Sequence, residues 1–74
     1  MKFYEEILNS DDTLVEALKF AAETEGNMRW ISSERLSKYR ELSRIGCIEL
    51  DQVATGGAIV YLTSEGRDYL EQYT

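Results

Sequence analysis

Ser33, Ser37, Arg40 and Arg44 are separated by four, three and four residues, the spacing that gathers side chains on one face of an α-helix. Lys38 flanks this set, as do Glu34 and Glu41. A guanidinium presents two coplanar N–H groups that match the paired acceptors on the major-groove edge of guanine, and a serine hydroxyl can bond a phosphate oxygen. Ser33, Ser37, Lys38, Arg40 and Arg44 are therefore candidate contacts to double-stranded DNA. The same residues also fit a face that meets another protein, or a charged surface that only meets water, because i,i+4 ion pairs are ordinary on helix faces.

Other chemistry is thinly supplied. The chain has no histidine, so Cys47, its single cysteine, has no imidazole base to activate it, and a small core residue is the better reading. A zinc site would need more Cys or His ligands, and Asp11-Asp12 is too short a run for a calcium loop; helix capping suits that pair better. Glu5 and Glu6 point in different directions on a helix and make a poor acid–base pair. The expectation is a protein that is not an enzyme and uses no metal or cofactor. Trp30, with Met28, reads as a plug of the core, the alternative being an anchor for a partner.

The chain has 74 residues, of which 43% are apolar and 30% charged, enough for one small core and its covering; residues 1–74 read as a single domain. The net charge of −6 argues against nucleic acid, which is held by clustered Lys and Arg. The distribution alters that picture. Residues 1–27 carry two basic and seven acidic side chains, a balance of −5. Residues 28–45 carry Arg29, Arg35, Lys38, Arg40 and Arg44 against Glu34 and Glu41, a balance of +3, and residues 46–74 return to −4 with Arg67 against five acids. The positive charge is confined to one segment.

A lone cysteine cannot form an intrachain disulfide, and Met1 to Glu6 lacks the basic-then-apolar layout of a secretory leader. The longest apolar run, Ala58 to Leu62, falls far short of the roughly 20 residues that cross a bilayer. A cytoplasmic location without membrane contact is expected.

Hydrophobic spacing predicts a short helix over Lys2 to Asn9, interrupted by Ser10-Asp11-Asp12. Thr13-Leu14-Val15-Glu16 fits a reciprocal capping pattern and opens a second helix to about Glu25, with Leu14, Leu18, Ala21 and Ala22 facing inward and Gly26 as the stop. Whether the two helices fuse is left open by the pattern. Met28 to Ile31 is a short extended candidate. Ser32 and Ser33 are caps for a third helix ending at Ile45 before Gly46, with Leu36, Tyr39 and Leu42 as its apolar stripe. Cys47 to Val53 and Ala58 to Leu62 alternate as strands around Thr55-Gly56-Gly57, and Thr63 caps a final helix to about Tyr73. If Ile48, Leu50, Val60 and Leu62 all face the core, paired residue numbers sum to an even number, which requires an odd loop such as Ala54-Thr55-Gly56 with Gly56 left-handed.

This order, and in particular Leu42-Ser43-Arg44-Ile45-Gly46-Cys47-Ile48-Glu49-Leu50 followed by Tyr61-Leu62-Thr63-Ser64-Glu65-Gly66-Arg67-Asp68-Tyr69-Leu70, resembles the small prokaryotic winged-helix regulators over roughly residues 33–70. The resemblance implies an α+β, winged helix-turn-helix-like fold of three or four helices with a β-hairpin wing and a short third strand. It implies a DNA-binding transcriptional regulator whose recognition helix is 33–45. The same fold also serves as a protein-interaction module, an adaptor or DNA mimic, for which an acidic surface is no handicap. Two features depart from the family pattern: the gap from Gly26 to Ser32 is long for a helix-turn-helix, and the wing, Ala54 to Ala58, has no Lys or Arg. Terminal helices commonly pair in such regulators, so the resemblance implies a homodimer through one or both of them, by Phe3, Tyr4, Ile7 and Leu8 and by Tyr69, Leu70 and Tyr73, with Tyr73 near the edge.

Overall fold

A computed structural model describes residues 3–52 and 56–73. Four helices and a three-stranded antiparallel sheet make up these residues, an α+β arrangement. The order is α1 (Phe3–Asn9), α2 (Asp12–Glu23), β1 (Arg29–Trp30), α3 (Ser33–Arg44), β2 (Ile48–Gln52), β3 (Gly57–Leu62) and α4 (Ser64–Tyr73). No helix among them is long and apolar enough to cross a membrane.

Local chemistry sets most boundaries. The first two helices are separate, because Asp11 is extended and its carboxylate accepts the Thr13 N–H at 3.0 Å. The cap of α2 is thus Asp11, where the spacing favoured Thr13. A carboxylate satisfies the exposed N–H groups and also meets the positive end of the helix dipole. Thr13 donates its own hydroxyl to the same carboxylate instead of capping. Ser32 caps α3 by accepting the Arg35 N–H at 3.1 Å, and Ile45 closes that helix one residue earlier than expected.

One face of each helix is buried. Leu14, Ala17, Leu18 and Ala21 of α2 meet Tyr39 and Leu42 of α3 and Tyr4 and Leu8 of α1. Ala22 is exposed, and Ala17 holds the place expected for it: successive residues turn by about 100°, so Ala17 lies about 60° from Leu14 and Ala22 about 80°. Leu36, expected in the stripe of α3, is only half-buried.

The hairpin has the even register: Ile48 pairs with Leu62, Leu50 with Val60 and Gln52 with Ala58. Ile48, Val60 and Leu62 consequently point into the core, and Gly56 is left-handed at φ +83° as an odd loop requires. Val53, Ala54 and Thr55 lie outside the described residues. β1 adds to the far side of β3 through Arg29–Ala58 and Trp30–Gly57, giving the order β1-β3-β2. Trp30 is not a core plug. It is 67% exposed and Met28 is 48% exposed, because the Gly57 pairing places Trp30 on the outer side of the sheet while the next residue, Ile31, packs against the core.

The exit of α3 is fastened to the entrance of α4. The Thr63 N–H donates to the Cys47 carbonyl at 3.1 Å and its hydroxyl to the Gly46 carbonyl at 2.6 Å, while the Gly66 N–H donates back to the Thr63 hydroxyl at 3.2 Å. Gly66 is buried there, and any Cβ on it would collide with the Cys47 carbonyl oxygen. Nearby, Glu25 accepts the Leu62 N–H at 2.8 Å and the Arg67 guanidinium at 2.6 Å, joining the end of α2 to β3 and α4. Gly66→Ala is expected to lower stability by about 1–3 kcal/mol or more through overpacking, and Ile48→Ala by about 2–5 kcal/mol through the cavity it leaves. Urea midpoints with unchanged slopes would measure both; a neutral Gly66→Ala would mean that α4 does not sit this close to Cys47.

Candidate nucleic-acid interface

α3 is held from both ends and from behind. Its N-terminus is capped by Ser32, Tyr39 and Leu42 are buried along its inner side, and after Ile45 the chain turns at Gly46 into β2. The twelve residues of α3 extend about 18 Å at 1.5 Å per residue. Its outer side is left to solvent, and there Ser33, Leu36, Ser37, Arg40, Glu41 and Arg44 line one shallow groove. Four of the five candidate residues are therefore together.

Lys38 is the exception. It sits about 100° further round the helix than Ser37 and turns toward the start of α2, where its ammonium lies 3.8 Å from the Asp11 carboxylate. Lys38 lines a separate cleft between the two helices with Thr13, Glu16, Ala17, Ser32, Glu34 and Arg35. The Glu34–Lys38 spacing is thus overridden by an interhelical pair. Arg35 is also withdrawn from the outer face: its guanidinium stacks 4.5 Å above the Phe20 ring, and one of its nitrogens is buried without a hydrogen bond among the described residues.

Two lining residues were missed by sequence reasoning. Leu36, expected in the core stripe, lies about 60° from Tyr39 and only about 40° from Arg40, at the border of the two faces. Glu41, a flank by spacing, reaches the Arg44 guanidinium with its carboxylate at 3.9 Å. That pair is loose and Arg44 is 77% exposed, so water screens most of its attraction and a stronger anion can replace Glu41.

The remaining chemistry-bearing residues lie elsewhere. Cys47 is wholly buried in the core, and burial, with a smaller contribution from Glu65, pushes its thiol up to about 11. At neutral pH it stays protonated and inert as a nucleophile. Among the described residues no group of three His, Cys, Asp or Glu is placed to hold a metal. Tyr69 is buried, donates its hydroxyl to Asn9 at 2.7 Å and stacks on Tyr73 with ring centres 4.6 Å apart.

Comparison of the chain with protein-family models, with curated proteins and with solved structures found no match. Its function has to be argued from its own residues.

Asp11 ties the α2 cap to Lys38, and its carboxyl is held below the usual range, chiefly by the Thr13 hydroxyl, then by backbone N–H groups and Lys38. A carboxyl lowered on folding stabilises the fold above its unfolded pKa, and that contribution disappears as pH falls through the lower folded value. In an NMR titration Asp11 should ionise at lower pH than in the unfolded chain. Thr13→Val should move it up more than Lys38→Met does; the reverse order would make the ion pair the main cause.

Proposed function

We propose that this protein is a winged-helix DNA-binding regulator of the cytoplasm that sets α3 into the major groove. The observation that carries this reading is the placement of Ser33, Ser37, Arg40 and Arg44 on one solvent-facing side of a helix whose other side is buried. A helix fits the groove, which is about 12 Å wide, and Arg40 and Arg44, one turn apart, span about 6 Å along it. They act as base readers, while Ser33 and Ser37 bond phosphate from the start of the helix. Lys38 is assigned a supporting role, since it is engaged with Asp11.

The charge balance favours a narrow contact. The segments before and after residues 28–45 carry −5 and −4 against +3 within it, so phosphate is drawn to the segment that holds α3 and repelled by those that flank it. Few cations per protomer imply modest affinity for one half-site, which two linked protomers would raise. Phe3 is 70% and Tyr73 47% exposed, and half-buried Ile7 and Leu70 extend the apolar character of the terminal helices. We assign the homodimer contact to these residues. Tyr4, Leu8 and Tyr69 are needed inside the protomer's own core and belong to the contact only indirectly.

Arg40→Ala and Arg44→Ala should each weaken duplex binding by about 1–3 kcal/mol and relax preference at one base pair if they read bases. Wild-type affinity should fall with salt at a log–log slope near −2 per protomer, about 0.9 for each phosphate neutralised by the two arginines. Fluorescence anisotropy against a randomised duplex at several salt concentrations measures both; unchanged binding in both variants would remove α3 as the reader.

Sedimentation equilibrium tests the dimer separately. Association that Phe3→Ser and Tyr73→Ser abolish is expected, and a monomer at all micromolar concentrations would exclude it.

A further inference from the structure

The outer face of the sheet lies on the side opposite to the core and is not used by α3. Gly57, Ile59 and Tyr61 alternate along β3 with the core-facing Ala58, Val60 and Leu62; of the three, Gly57 is buried, Ile59 half-buried and Tyr61 exposed. On one flank Trp30 stands beside Gly57, with its ring against Gly56, and Met28, two residues earlier, is also exposed. On the other flank Glu49 is directly across from Tyr61 and Asp51 from Ile59. Both acids are exposed, and neither has an ion pair among the described residues. Glu25, near the same end of β3, is already neutralised by Arg67.

An apolar strip bordered by unpaired carboxylates selects for its occupant. Exposed Trp30 at one end of this face and Tyr61 at the other, with half-buried Ile59 between them on β3, leave apolar area in water, and the ring faces attract cations. Glu49 and Asp51 repel phosphate and an acidic peptide, and a second copy laid face to face would oppose its own acids to these. A chain that alternates cationic and aliphatic side chains meets every requirement: aliphatic groups over Trp30 and Ile59, ammonium or guanidinium groups toward Glu49, Asp51 and the Tyr61 ring.

We propose that the outer sheet face, built by Trp30, Ile59 and Tyr61 and edged by Glu49 and Asp51, binds a cationic, aliphatic-bearing segment of a partner protein. The face is independent of the DNA reading, since none of its residues lies on α3. It gives the domain a second surface through which a regulator can recruit or be recruited while α3 is occupied.

Trp30 is the single tryptophan, so its emission reports this face directly. The probe is a blocked peptide of alternating lysine and leucine, titrated into the full chain, with an alternating glutamate and leucine peptide as its control. The lysine peptide should give a saturable blue shift that weakens with salt, and the glutamate peptide none. The double variant Glu49→Gln, Asp51→Asn should weaken binding about tenfold, the sum of two exposed charge contacts, whereas Glu5→Gln with Glu71→Gln, an equal charge change on other faces, should leave it unchanged. Equal weakening by both double variants would reduce the effect to net charge and overturn the proposal. So would the absence of saturation up to about 1 mM, the weak limit of specific binding, a stronger response to single-stranded DNA, or concentration-dependent self-association that Trp30→Ala removes. Circular dichroism of each variant establishes that the fold is retained, and duplex binding by the Glu49, Asp51 variant should not weaken.

Discussion

Everything that presents α3 depends on one close backbone approach, where the first turn of α4 lies against the Cys47 carbonyl. Only a residue without a side chain can stand at position 66, and Thr63 uses its N–H and hydroxyl to hold both Gly46 and Cys47. The hydrogen bonds across this seam satisfy the Gly46 and Cys47 carbonyls in the turn between α3 and β2. They also determine where β2 begins and therefore which of its residues face inward. If the seam opened, Ile48 and Leu42 would lose their cover together, since both pack immediately beside it.

A second theme is the sorting of cations within an acidic protein. Five basic residues fall between positions 28 and 45, yet they have different destinations. Phe20 holds Arg35 and Asp11 draws in Lys38, so α2 takes up two of the positive charges nearest to it. The outward side of α3 keeps Arg40 and Arg44, with Glu41 as a local counterweight. Net charge is thus a poor guide to this molecule. The relevant quantity is the charge on each face, and that depends on which side chains the neighbouring helix engages.

The legible parts of the chain were those governed by short-range rules. The hairpin register followed from requiring Ile48, Leu50, Val60 and Leu62 to share a side, and α3 was bounded by Ser32 and Gly46 because capping and chain reversal are local. The gathering of Ser33, Ser37, Arg40 and Arg44 needed only the helical repeat. The failures came where two neighbouring residues compete for one role or where a distant partner decides. Asp11 and Thr13, two positions apart, can both cap, and the pattern pointed to Thr13, whereas their mutual hydrogen bond gives the role to Asp11. A two-residue strand has too little alternation to reveal which way Trp30 points, and only its pairing with Gly57 does so. No local rule marks Gly66, because its necessity comes from a carbonyl nineteen positions earlier in the chain.

The two borders of the small sheet carry a further consequence. β1 is only two residues long, and β2, at the opposite border, bears Glu49 and Asp51 in alternation. An open strand border is a template on which other chains can stack into fibrils, and such growth is hindered by short edges and by charges that would be brought together in the growing stack. One border here offers too few backbone groups to nucleate growth, and the other would set carboxylate against carboxylate. The same acids that border the aromatic strip thereby protect a chain with exposed Trp and Tyr from indiscriminate self-assembly.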